Sequence, residues 1–280
     1  MDAAYYNGIF DDTDKIRIPL SDRAVYFGDG IYDAAIGRDG FIYLEQEHLN
    51  RFFKNAERLG LKINFSRGEL SDVLHKVAEN SGYGQYFLYF QLTRNLKKRL
   101  HAYPDGCDSN LLVIATKLEI ATRGEVKLIC VPDLRHHFCD VKTLNLLPSV
   151  MAARRAAESG CEEAVFVRDG VVTECAHSNL LIVKDGTLYT HPTDNLILPG
   201  VTRARILQLC TEMKIPFQEV RFGVKELYGA DEVIISSTSK LCMRATHIDG
   251  VKLPEKGGNI ACRLRDALKL DFLGNSVLNF

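Results

Sequence analysis

No stretch of this 280-residue chain approaches the roughly 18 consecutive apolar residues of a membrane-spanning helix. Its eight cysteines include no Cys-x-x-Cys pair, which argues against a zinc ribbon and a disulfide scaffold. A reducing, cytoplasmic setting without a bound metal is expected. Net charge is nearly absent: 35 basic and 36 acidic residues leave −1, so neither nucleic acid nor an anionic membrane is the expected partner. The substrate is therefore expected to be small. No G-x-x-x-x-G-K-[ST] loop and no dinucleotide fingerprint occur, "FGDGIYD" being only G-x-G-x-x-D. The first residues, "MDAAYYNGIFDDTDKIRI", are acidic and turn-rich rather than basic then apolar, so no targeting signal is expected. Internal repeats and low-complexity tracts are also missing.

What is present suits a globular protein with a substantial core: 46% of residues are hydrophobic, over a length that fits one large domain or two smaller ones. Residues 1–44 read as short strands, with Asn7-Gly8 and Asp39-Gly40 as hairpin turns. In "EQEHLNRFFKNAERLGLKI", Leu49, Phe52, Phe53 and Ala56 form a helical stripe that Gly60 is placed to end. Residues 85–93 and 110–116 are rich in strand formers, and "KLEIATRGEV" reads as a linker. After it come "KLICV", an alanine-rich helix with Ser149 as N-cap, and two hairpins turned by Asp169-Gly170 and Asp185-Gly186. The last third alternates helix (202–213), strand (231–237) and helix (about 259–270).

Three features could carry chemistry. "VKTLNLLPSV" holds one charge, Lys142, beside Val141, Leu144, Leu146 and Leu147, and the next charged residue is Arg154. An ammonium in apolar company is costly to keep charged, which favours a free amine as nucleophile or base. The alternative is a lysine near a helix start that reaches water along its own stem. Glu174, in the outgoing strand of the first Asp-Gly hairpin after Lys142, shares a face with Val172 and so needs a cationic partner, unless it is an edge-strand residue in water. "LILPGVTRARILQLCTEM" passes through Pro199-Gly200 into a helix whose unpaired N–H groups suit a phosphate, and Ser236, Ser237, Thr238 and Ser239 could add donors. Ordinary capping and turn chemistry is the alternative for both.

An isolated lysine, a carboxylate on a strand and a helix-start phosphate cradle are together the parts that hold pyridoxal phosphate. The chain resembles the fold-type IV pyridoxal-phosphate enzymes, the class IV aminotransferases, along nearly its full length, and among them the bacterial D-amino acid (D-alanine) transaminases. "DRAVYFGDGIYD", "EHLNR", "TRNLKKRLHAYP", "CDVKTLNLL", "VVTE" with "SN", "LYTHP", "LILPGVTR" and "SSTS" carry the resemblance, in that order. It implies a two-domain α/β (α+β) fold: a smaller N-terminal α/β sandwich over 1–118, a linker over 119–124, and a larger C-terminal mixed α/β pseudo-barrel over 125–280. The latter would carry the Schiff-base lysine, with the cofactor between the domains.

Residue by residue, the resemblance makes Lys142 the Schiff-base lysine and Glu174 the partner of the pyridine nitrogen. Arg51, the N–H groups of Val201 and Thr202, the Thr202 hydroxyl, Ser237 and Thr238 would hold the phosphate, and Leu198 would pack on the ring. Tyr32, with Arg99 and His101 from the partner subunit of a homodimer, would bind the substrate carboxylate. Arg99 and His101 are expected two apart on a strand, where their side chains converge. The implied activity is transfer of the amino group of a D-amino acid to a 2-oxo acid such as 2-oxoglutarate. A branched-chain L-amino acid aminotransferase and an aminodeoxychorismate lyase would use the same lysine, and a phosphate- or nucleotide-binding module without catalysis would need only the 198–203 and 236–239 elements. The chain departs from the D-amino acid transaminase pattern at Cys175, Ala176 and His177, which replace a small serine-rich segment, and at "NLKK", which lacks the usual glycine.

Overall fold

The computed structural model describes residues 2–95, 98–120, 124–254 and 259–274. Residues 121–123 of the expected linker, and Leu96 and Lys97 of "NLKK", lie outside them. The chain divides into two compact units, Met1–Glu119 with Val141–Asn145, and Ile120–Asp140 with Leu146–Phe280.

The first unit is a six-stranded sheet, ordered β2-β1-β6-β5-β3-β4, built from β1 (Ala3–Tyr6), β2 (Ile9–Asp12), β3 (Gly30–Arg38), β4 (Phe41–Ile42), β5 (Gln85–Arg94) and β6 (Ser109–Lys117). All its pairings are antiparallel. Two of its hairpins turn where expected: Asn7 and Gly8 have φ of 45° and 97°, Asp39 and Gly40 of 47° and 80°. Consecutive positive φ values match the twist of the flanking strands, and asparagine, aspartate and glycine tolerate them. A single turn, α1 (Ala24–Phe27), precedes β3. Helices α2 (Glu45–Arg58) and α3 (Arg67–Ser81) pack on the sheet. Leu49, Phe52 and Ala56 of α2 are buried and Phe53 is partly buried, as the stripe requires. Helix α3 was not among the expected elements; it starts at a Ser66–Glu69 capping box and buries Leu70, Leu74, Val77 and Ala78.

The second unit is a nine-stranded sheet: β12-β11-β10-β13-β14-β7-β8-β9, with β15 on β14. In chain order its elements are β7 (Glu125–Pro132), α4 (Leu147–Glu158), β8 (Glu163–Arg168), β9 (Val171–Cys175), β10 (Asn179–Lys184), β11 (Thr187–Thr190), α5 (Val201–Glu212), β12 (Phe217–Glu219), α6 (Val224–Tyr228), β13 (Glu232–Ser237), β14 (Leu241–Ile248), β15 (Val251–Lys252) and α7 (Ile260–Leu273). Strand β9 ends the ladder, yet only residues 176–178 separate it from β10, which it touches, so the sheet curls into a half-barrel. Helix α4 covers β7 and β8, and α5 and α7 cover β13.

Two expectations change here. Helix α4 begins at Leu147, so Ser149 lies in its first turn and is not the N-cap; Pro148, whose fixed φ suits a first turn and which lacks an N–H, sets the start instead. The segment Val141–Asn145 folds with the first unit, although the sequence reading placed Lys142 in the later domain. Its backbone is held there by two hydrogen bonds with β3, Tyr32 N–H to the Lys142 carbonyl (2.9 Å) and Leu144 N–H to the Gly30 carbonyl (3.2 Å), which bracket an antiparallel bridge between Ile31 and Thr143. Gly30 permits this approach, because a Cβ there would lie 3.0 Å from Leu144 Cδ1 and 2.6 Å from the Leu92 carbonyl.

Candidate active site

Alternation along β3 sends Asp33 to the helix side of the sheet and Tyr32 to the other. Tyr32 stacks on Tyr89 at 5.4 Å between ring centres, and Lys142 Nζ stands 4.1 Å from the centre of the Tyr32 ring. Among the described residues the Lys142 amine makes no hydrogen bond and no ion pair. Its apolar company is only partial: Val141 is buried, but Leu147 is 70% exposed and Leu146 36%. The Tyr32 ring, rather than the downstream leucines, is what the lysine rests on.

Asp33 is fully buried and accepts from both sides of one helix turn. Arg51 Nε and Nη2 donate to its two oxygens at 2.8 and 2.7 Å, and His48 Nδ1 lies 2.8 Å from Oδ1. Residues three apart on α2 face the same way, which is why "HLNR" delivers both groups to one carboxylate. Burial works against the Asp33 charge, yet Arg51 and His48 hold the carboxyl below the usual range. Burial also pushes His48 below its ordinary value, so the neutral ring donates from Nδ1 and leaves Nε2 buried without a partner. Arg51, expected at a phosphate, is thus anchored by Asp33, a partner the sequence reading did not name.

Arg99 and His101 do not lie on a strand. The β5–β6 ladder ends with Asn95 N–H on the Asp108 carbonyl (2.7 Å), and residues 98–105 form an exposed irregular loop containing Pro104. The two side chains nevertheless meet on one ring: the Arg99 guanidinium carbon is 4.9 Å from the centre of Phe27, and the His101 ring is 5.2 Å from it.

The second unit holds Glu174, buried as its place beside Val172 implied, and supplies the cation it needed. Arg135 Nη1 donates to Oε1, while Oε2 accepts from Asn179 Nδ2 (3.0 Å) and the Leu198 N–H (3.1 Å). Arg135 is itself shared with fully buried Asp133 (2.8 Å), which also pairs with Arg168 (3.1 Å). Burial opposes the Arg135 charge, but Asp133 and Glu174 hold its ionisation above the ordinary value. Arg135 and Asn179 have no role in the sequence reading; the only cue was "DLR" followed by uncharged neighbours, and nothing local links it to a glutamate 39 residues on.

Helix α5 starts at Gly200, with Val201 and Thr202 in its first turn and no side-chain cap. A Cβ at Gly200 would fall 1.9 Å from Asn179 Oδ1, so glycine lets Asn179 reach both Glu174 and the Leu198 carbonyl (2.9 Å). Ser237 ends β13 and Thr238 opens the turn after it, while the Ser236 hydroxyl, across from Asn179 in β10, is buried with no partner. At the departures from the D-amino acid transaminase pattern, burial pushes the Cys175 thiol well above its ordinary value, making it a neutral packing group. His177 is tied down: its N–H donates to buried Glu163 (2.9 Å) and its Nδ1 lies 3.2 Å from the same oxygen, while Lys240 Nζ holds the other at 2.7 Å.

The chain is similar to the D-alanine aminotransferase of Staphylococcus epidermidis, 35% identical over 283 residues that span 99% of this chain and 100% of that protein. It is 36% identical over 261 residues to the D-alanine aminotransferase of Listeria monocytogenes, covering 90% of each. Among solved structures, the branched-chain amino acid aminotransferase from Escherichia coli superposes with a TM-score of 0.86 at 22% identity, covering 97% of this chain and 94% of that one. A T.th. branched-chain amino acid aminotransferase complexed with N-(5'-phosphopyridoxyl)-L-glutamate does so with a TM-score of 0.85 at 23% identity, covering 96% and 93%. These two likenesses establish a shared fold. The model of amino-transferase class IV matches residues 30–248, from the first residue of β3 to the last of β14, and with relatives alike from end to end it makes this chain a member of the class IV aminotransferases.

Proposed function

We propose that this aminotransferase moves the amino group of a D-amino acid, of the D-alanine type, to a 2-oxo acid such as 2-oxoglutarate. The observation that carries the reading is the similarity of the whole chain to D-alanine aminotransferases at 35% identity. Pyridoxal phosphate is the family's cofactor and supplies an electron sink for the carbon that loses its proton. The residues present fit it. Among the described residues, the first unit offers a primary amine with no ionic partner, and the second a fixed buried carboxylate, a helix start without a side-chain cap, and an orphaned hydroxyl at Ser236.

In this reading Lys142 carries the cofactor and, when free, takes and returns the substrate α-proton at Nζ. Glu174 keeps the ring nitrogen positively charged, and its pairing with Arg135 and Asn179 fixes the plane of the carboxylate that does so. Arg51, Val201, Thr202, Ser237 and Thr238 hold the phosphate, and Leu198 packs on the ring. Tyr32, Arg99 and His101 bind the substrate carboxylate, the last two reaching the site of the other subunit in a homodimer. Eight free cysteines are in keeping with action in the reducing cytoplasm.

The test is a panel of D- and L-amino acids with 2-oxoglutarate or pyruvate as acceptor. Transfer from D-alanine and its D-analogues is expected. Transfer confined to branched-chain L-amino acids, or release of pyruvate from aminodeoxychorismate, would overturn the assignment.

A further inference from the structure

Residues 98–105 are exposed and irregular, yet two buried arginines hold them, Arg23 by the backbone and Arg94 by the Tyr103 ring. Arg23, 4% exposed, donates through Nη1 to the Leu100 carbonyl and through Nη2 to the His101 carbonyl (3.4 Å). Its Nε is fixed by Asp29 at 2.7 Å, its N–H donates to the Arg94 carbonyl, and its own carbonyl accepts from Phe27. Arg94, 3% exposed, also pairs with Asp29, donates to the carbonyls of Leu59 and Gly60, and lies 3.7 Å over the Tyr103 ring. Phe27 completes the arrangement: the guanidinium carbons of Arg23 and Arg99 lie 4.6 and 4.9 Å from its centre, with the His101 ring at 5.2 Å.

We infer that Arg23 is a positioning residue for substrate binding: it clamps the consecutive carbonyls of Leu100 and His101 and, with Phe27, presents Arg99 and His101 together. The inference rests on the reading that these two bind the substrate carboxylate. A solvent-facing loop with two basic side chains has many arrangements, and a ligand that had to select one would bind more weakly. A planar fork can hold two neighbouring carbonyls at once and still pair with Asp29, whereas an ammonium presents a point charge without that fork.

Arg23→Lys keeps the charge beside Asp29 and removes the fork; Phe27→Leu leaves Arg23 intact and removes the shared ring. With the holoenzyme of each variant, amide hydrogen exchange in the 98–105 peptide is expected to accelerate at least tenfold, with cofactor absorbance unchanged. KM for D-alanine and D-glutamate is expected to rise together, by about ten- to a hundredfold, at a preserved kcat. The double variant Arg23→Lys/Arg99→Ala should be no worse than Arg99→Ala alone. Unchanged exchange in both variants would overturn the clamp. Faster exchange with additive effects on KM, or with no KM effect where Arg99→Ala has one, would overturn the positioning role. An Arg99→Ala protein with normal KM would instead sink the carboxylate reading, leaving the exchange result to decide the clamp.

Discussion

Tyr32 holds Lys142 at both ends: its N–H donates to the lysine carbonyl at 2.9 Å, and its ring lies 4.1 Å beneath the lysine Nζ. A contact of this kind contributes roughly 0.5–2 kcal/mol depending on desolvation. It orients the lysine head without taking one of its protons into a hydrogen bond, which suits the role proposed for it.

Borohydride reduction of the holoenzyme followed by peptide mapping is expected to find the cofactor on Lys142. Lys142→Ala should retain no covalent cofactor and no turnover. A label on another lysine would exclude the assignment.

Glu174→Gln should lower kcat by about 10²–10³ while changing cofactor affinity far less, because an amide can still be held by Asn179 and Leu198 but carries no charge for the ring nitrogen. Spectrophotometric titration with pyridoxal phosphate, set beside steady-state kinetics, separates the two. A change mainly in KM contradicts the role.

Arg135→Ala leaves Asp133 and Glu174 buried with their shared cation gone, and removal of one partner from such a buried network costs roughly 3–5 kcal/mol. Denaturant unfolding is expected to show a loss of that size. Arg135→Lys should recover only part of it, since an ammonium lacks the fork that serves both carboxylates.

Acid should weaken the fold from about neutrality downward. Burial lowers the His48 value from its ordinary 6.5, so the unfolded chain binds this proton more readily than the native one. The stabilisation from a neutral His48 is complete above pH 6.5 and is lost as pH falls, with a slope of at most about 1.4 kcal/mol per pH unit for one group. His136 and His191 are lowered in the same direction, again mainly by burial. Melting temperatures at about pH 7.5 and about pH 5.5, on either side of that value, should therefore differ less in His48→Gln than in the parent protein. An equal difference would mean that His48 does not titrate with unfolding.

An Arg99→Ala protein mixed with a Lys142→Ala protein should regain activity as hybrid dimers form, because one of the two sites would then combine an intact lysine with an intact carboxylate trap. Failure to complement, where subunit exchange is demonstrated by mass, would count against a trap supplied from the partner.

Much of the architecture is legible because it is written locally. Asn7-Gly8, Asp39-Gly40, Asp169-Gly170 and Asp185-Gly186 each place two consecutive residues at positive φ, and each turns a hairpin. The α2 stripe is equally plain. Ser149 reads as a cap only while its neighbour is ignored; Pro148 fixes the first turn one residue earlier. Arg99 and His101 look like strand neighbours, but residues 98–105 are irregular, and aromatic packing on Phe27 brings the two together instead. The roles given to Arg51 and Glu174 come from family resemblance. Their anchors, Asp33 and Arg135, are invisible in sequence because a buried ion pair leaves no spacing rule when its members come from different elements.

The five residues Val141–Asn145 complete a unit whose other members end at Glu119. Translation at about 5–20 residues per second adds them roughly one to five seconds after Glu119. During that interval Tyr32 N–H, the Gly30 carbonyl and Ile31 have no native partner along this edge. Lys142 thus belongs to a unit whose sheet is encoded before it, and a fragment cut at Glu119 would carry the Tyr32 ring without the amine that rests on it.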